Sequence, residues 1–150
     1  ELAVSDRDFD TAIECLRKAA EMAQPADKKA VLERMRVVEG QARDFRRQTA
    51  SAARVILDEM PRFNAAVIVK RIGDIERSVN VLCGGGEASV LTKSAGVLGK
   101  AIAVVDRAVE GRLAEMERLE IDSDDYHDRL TAARDTLHQL LQAASAALAR

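Results

Sequence analysis

Aromatic residues are nearly missing from this chain. They make up 3% of its 150 residues, and tryptophan is absent. A core without large rings has to be filled by Leu, Ile, Val and Ala, which suits closely packed helices better than a sheet sandwich. Proline is as scarce, with only Pro25 and Pro61, so few helix breaks are forced. Neither sign of charge is in clear excess. The 23 basic and 25 acidic residues leave a net charge of -2, a balance without the footprint of a nucleic-acid binder or an anionic-membrane binder. The two cysteines, Cys15 and Cys83, lie far apart and match no CxxC spacing. Reduced thiols and a cytoplasmic location are therefore expected. No uncharged apolar run reaches the length of a membrane span, and no signal-peptide pattern opens the chain. The chain starts at Glu1 rather than Met and ends inside an apolar-periodic segment, so it reads as a piece of a longer protein.

What is present is helical periodicity. Five helices are predicted. The first covers about Asp6 to Gln24, with Ser5 and Asp8 as a capping-box-like start. Its stripe is Phe9, Ile13, Leu16, Ala20 and Ala23, and Pro25 ends it or opens the next helix. The second, from about Ala26 to Met60, would be roughly 50 Å long. Its seam is Val31, Met35, Val38, Ala42, Phe45, Thr49, Ala52 and Ile56. The third runs from Pro61 to Cys83 with Ile68, Ile72, Ile75, Val79 and Leu82 inward, and closes at the turn Gly84-Gly85-Gly86. The fourth, Glu87 to Glu120, carries Leu91, Leu98, Ile102, Val105, Val109, Met116 and Leu119, with Gly96, Gly99 and Gly111 weakening it or admitting a close neighbour. Asp122-Ser123-Asp124-Asp125 caps the fifth, whose seam is Tyr126, Leu130, Ala133, Leu137, Leu140, Ala144 and Leu148.

The fold expected is all-α: an antiparallel up-down four-helix bundle over 46–150, preceded by a helical hairpin over 1–45. Helices in such a bundle match in length, so the back half of the second helix belongs with the last three. The first helix and the front of the second then project, and two helices alone leave their apolar stripes partly uncovered. A single compact five-helix domain is the alternative. On the projecting arrangement, Phe9, Ile13, Leu16, Ala20, Val31, Met35, Val38, Ala42 and Phe45 form a surface for a partner helix or a second copy of the chain.

Chemistry finds little foothold. The triple glycine with Lys93 lacks the P-loop spacing and a preceding strand. His127 and His138 are three turns apart and cannot share a metal. Asp122 to Asp125 lacks the glycine and terminal glutamate of a calcium loop. Arg43, Arg46, Arg47 and Arg54 are diluted by acids and read as a solvated face. Cys15 and Cys83 read as small, partly buried residues. No catalytic, cofactor or metal site is expected.

Several segments resemble the vinculin and α-catenin family of adhesion proteins. Ala52-Ala53-Arg54-Val55-Ile56-Leu57-Asp58-Glu59-Met60 followed by Val67-Ile68-Val69-Lys70-Arg71-Ile72 is similar to the break between a long helix and its successor in that family's N-terminal head. Leu91 through Leu119, then Tyr126-His127-Asp128-Arg129-Leu130-Thr131-Ala132-Ala133-Arg134, resembles the head's last two helices, and Leu16-Arg17-Lys18-Ala19-Ala20 stands where a helix leads into the long one. Gly84 to Gly86, and Gly96 with Gly99, depart from the family pattern. The resemblance implies a scaffold at cell junctions. It would bind a β-catenin-like or talin-like helix, or homodimerise, and reach actin through domains outside this chain. A helical interaction module of a signalling or bacterial effector protein, with no adhesion role, is the alternative function.

Overall fold

The computed structural model describes residues 6–150, and it is all-helical, with no strand among the described residues. The helices are α1 (Asp6–Met22), α2 (Pro25–Glu59), α3 (Ala65–Lys70), α4 (Ile72–Gly85), α5 (Ala88–Arg118) and α6 (Asp125–Leu148), with a 3₁₀ turn at Met60–Arg62. Ser5, the expected first cap, lies outside the described residues. The chain forms two compact units, Glu1–Thr49 and Ala50–Arg150.

In the first unit α1 and the front of α2 form a hairpin. Pro25 is the first residue of α2, where its missing N–H would be unpaired in any case. The Gln24 carbonyl accepts from the N–H groups of Asp27 and Lys28, both at 2.9 Å. Away from that turn, the Phe9 and Phe45 rings lie 5.4 Å apart at 47°, and Arg46 reaches Asp10 at 3.2 Å. The two helices therefore run antiparallel.

The second unit holds the large core. Ile68, Ile75, Leu91, Leu98, Leu130 and Leu137 are fully buried there with Val79 and Val105. On α5 and α6, Arg112 pairs with Asp124 and Arg134 with Asp106. The partners move in opposite directions along the chain, so these helices are antiparallel. Arg54 pairs with Glu87, and Asp58 with Lys93. These partners advance together, which sets the end of α2 parallel to the start of α5. Ser94 is buried on α5, and its hydroxyl donates to the Val90 carbonyl at 2.8 Å, so it costs little.

Several expectations need correction. The third predicted helix is not one helix from Pro61. Its first residues make the 3₁₀ turn, Asn64 caps α3 by accepting from the Val67 N–H at 2.9 Å, and the helix breaks at Arg71. Arg71 is occupied in that break. It bonds Glu59 at 3.4 Å and lies 5.2 Å over the Phe63 ring, tying the turn together. The triple glycine is not all turn: α4 continues through Gly85, and only Gly86, at φ 67°, adopts the left-handed cap. The fourth predicted helix stops at Arg118. Glu120, at φ 57°, takes the left-handed position, and the Ile121 N–H returns to the Met116 carbonyl at 3.0 Å. No close neighbour uses the glycines of α5, because a Cβ at Gly96, Gly99 or Gly111 would meet nothing within 4 Å. Leu119, Tyr126 and Leu148 are exposed rather than in the seam, and so is Ala52.

The membrane expectation also changes. By length and composition α5 is long and apolar enough to cross a bilayer. A reading based on uncharged runs missed this because Lys93, Lys100 and Asp106 interrupt the helix. Nine of its residues, from Leu91 to Met116, are nevertheless buried in the unit.

Candidate functional site

The nine predicted residues all lie on the hairpin, along the stripes of α1 and α2. Ala20, Val38 and Ala42 are buried, with Ala42 the most enclosed at 1% exposure. The large members, Phe9, Ile13, Leu16, Val31, Met35 and Phe45, are only half-buried. Phe9 and Phe45 meet ring against ring across the hairpin, so large residues as well as small ones take part in the contact of α1 with α2. Two helices alone have no third surface to cover them, so part of each large side chain still meets water.

Sequence reasoning missed three further apolar residues on this unit. Met22 is 86% exposed, Val37 48% and Leu32 42%. Val37 and Leu32 each adjoin a seam residue, and the doublets Val31-Leu32 and Val37-Val38 were the available signal: a stripe wider than one helix needs. Leu32 also lines a shallow groove of about 370 Å³ with Pro25, Lys28, Lys29, Glu33 and Arg36.

The electrostatics of this surface are those of a solvated rim. Arg17 pairs with Glu14 at 3.2 Å, both more than half exposed, and the Arg46–Asp10 pair is similarly open. Such pairs contribute about 0–1 kcal/mol and leave the apolar strip as the dominant feature. Cys15 is exposed, contrary to the expected partial burial. Cys83, in the second unit, is half-buried, and burial pushes its thiol upward from the ordinary value, away from the reactive thiolate. Among the described residues no group of three or more His, Cys, Asp or Glu could hold a metal. His138 is exposed, and His127 is partly covered with its backbone N–H bound to Asp124. The acidic run serves α6: Asp124 is its N-cap.

No protein-family model matches the chain, and no curated protein or solved structure matches it either.

Proposed function

We propose that this chain is a protein-binding scaffold module whose N-terminal hairpin takes up an amphipathic helix, or the same hairpin of a second copy. Its second unit, in this reading, is an up-down four-helix bundle made of the end of α2, α3 with α4, α5 and α6. One observation supports the proposal: six large apolar side chains of a two-helix unit, Phe9, Ile13, Leu16, Val31, Met35 and Phe45, stay only partly buried. Completing their burial contributes roughly 0.5 kcal/mol each, and burial of the partner's own stripe adds to that. Association costs roughly 4–15 kcal/mol, so a weak, reversible contact is expected, as fits a regulated contact rather than a permanent one.

The resemblance to vinculin and α-catenin supports a particular setting. The partner would be a β-catenin-like or talin-like helix at the cytoplasmic face of a cell junction, with actin reached through other domains. Homodimer and partner would compete, because both cover the same side chains.

The test is Leu16→Asp with Met35→Asp. Both sites are half-buried, so the hairpin can form while a carboxylate stands in the strip. Binding of talin-like and β-catenin-like helical peptides should fall by at least about 100-fold, since an unpaired charge would have to be buried. Any concentration-dependent dimer seen by light scattering should also disappear. Undiminished peptide binding by the double variant would remove the hairpin face as the site.

A further inference from the structure

The second unit carries a groove that the hairpin reading does not use. It has a volume of about 610 Å³ and lies between α3, with the first residue of α4, and the front of α6. Ala66, Val69 and Lys70 line one wall at helical spacing, and Tyr126, Arg129, Ala133 and Thr136 line the other. Two helical walls of mixed small, apolar and basic side chains, each stepping at helical spacing, border a groove of the kind into which a third helix packs. A compact ligand would need an enclosing chamber instead, with most of its surface covered.

Charge selects among helices. Each wall bears one cation. Lys70, in the last turn of α3, makes no ion pair among the described residues. Arg129 holds Asp125 at 3.0 Å, and both are largely exposed, so an incoming carboxylate can compete for that guanidinium at little cost. Tyr126 is 38% exposed at the same wall. It presents an apolar ring and a polar tip, the combination enriched at binding surfaces.

We propose that the groove between α3 and α6 docks one amphipathic helix of another protein, its apolar stripe bordered by carboxylates that meet Lys70 and Arg129. The apolar floor supplies the affinity, and the two cations set the register and reject basic helices. This proposal stands apart from the hairpin, since it concerns a different unit and different residues.

The protein contains its own reporter. Tyr126 is the only tyrosine and there is no tryptophan, so tyrosine emission reads this groove alone. The probe is a synthetic helix of about 18 residues, five turns, with a Leu/Ala stripe flanked by Glu. Its twin has Lys at every Glu. Both are titrated into the full chain carrying Leu16→Asp and Met35→Asp, which removes the hairpin as a competing site. The Glu-flanked peptide should change Tyr126 emission with saturation, and the Lys-flanked twin should bind at least about tenfold weaker, a difference expected for unfavourable like-charge contacts. Lys70→Glu with Arg129→Glu, both at exposed positions, should invert that preference. Unchanged emission with the Glu-flanked peptide would overturn the proposal, as would a preference that survives charge reversal. A response to dodecanoate without a response to either peptide would also overturn it, in favour of a lipid-like ligand.

Discussion

Asp124 accepts three hydrogen bonds and plays two parts. Its carboxylate accepts from the His127 N–H at 2.8 Å, which caps α6, and it takes both Nε, at 3.0 Å, and an Nη of Arg112, which joins the linker to α5. The Arg112 hydrogen bond, with help from the backbone N–H of His127, holds this carboxyl well below the usual range, at about 2 against 3.8. A folded value below the unfolded one means that the contribution is complete above about 3.8 and lost as pH falls toward 2. Urea midpoints measured between pH 2 and 6 should therefore show an acid-sensitive limb, and Asp124→Asn should lower the midpoint at pH 6 and flatten that limb. A variant with the same slope as the parent would show that the bond to Arg112 adds no pH-dependent stability. Only part of this was legible: the acidic run announced a cap, but which aspartate serves was settled by Arg112, a residue twelve positions earlier on another helix.

At the level of elements, α2 shows how periodic reading drifts. The predicted seam stepped Phe45, Thr49, Ala52, Ile56, a strict alternation of four and three. The buried residues at the end of the helix are Ala53 and Leu57, one position on, with Ile56 half-buried. A seven-residue repeat falls behind a straight helix by about 20° per heptad. Over the 35 residues of α2 that accumulates to about one residue. The shorter helices leave less room for such drift, and Ile75, Val79, Leu82, Leu98, Val105, Leu130 and Leu137 are all buried as expected. The helix stop at Glu120 was hidden for a different reason: a left-handed cap usually announces itself by glycine, and here a glutamate fills it. The α5 glycines give a direct test. Gly96 and Gly99 are exposed, with open space where a Cβ would sit, so Gly96→Ala with Gly99→Ala should add about 1–2 kcal/mol by restricting the unfolded chain and favouring the helix. The urea midpoint should rise at unchanged slope. A loss of stability would mean that something approaches this face after all.

Across the whole molecule, burial is divided unevenly between the units. Among the described residues, the first buries Ala20, Val38 and Ala42, while the second holds every fully enclosed Leu and Ile. Hydrogen exchange should follow that division. Amides of 6–49 should exchange at least about a hundredfold faster than those in the centres of α5 and α6, because local opening there exposes little apolar surface. Equal protection would mean that the two units open as one. A bound helix on the hairpin should slow exchange in the first unit selectively, which makes the same measurement a map of docking.

Much of the protein was determined by the sequence alone: the helical class and most helix positions. These follow from local periodicity and from the shortage of rings, prolines and glycines, which every segment carries within itself. The tertiary structure decided the rest. It broke the third predicted helix at Arg71, chose Asp124 among four capping candidates, turned Tyr126 outward, and set Lys70 and Arg129 across a common groove. Each of these depends on a neighbour distant in the chain, and a pattern that repeats every three or four residues carries no information about such neighbours.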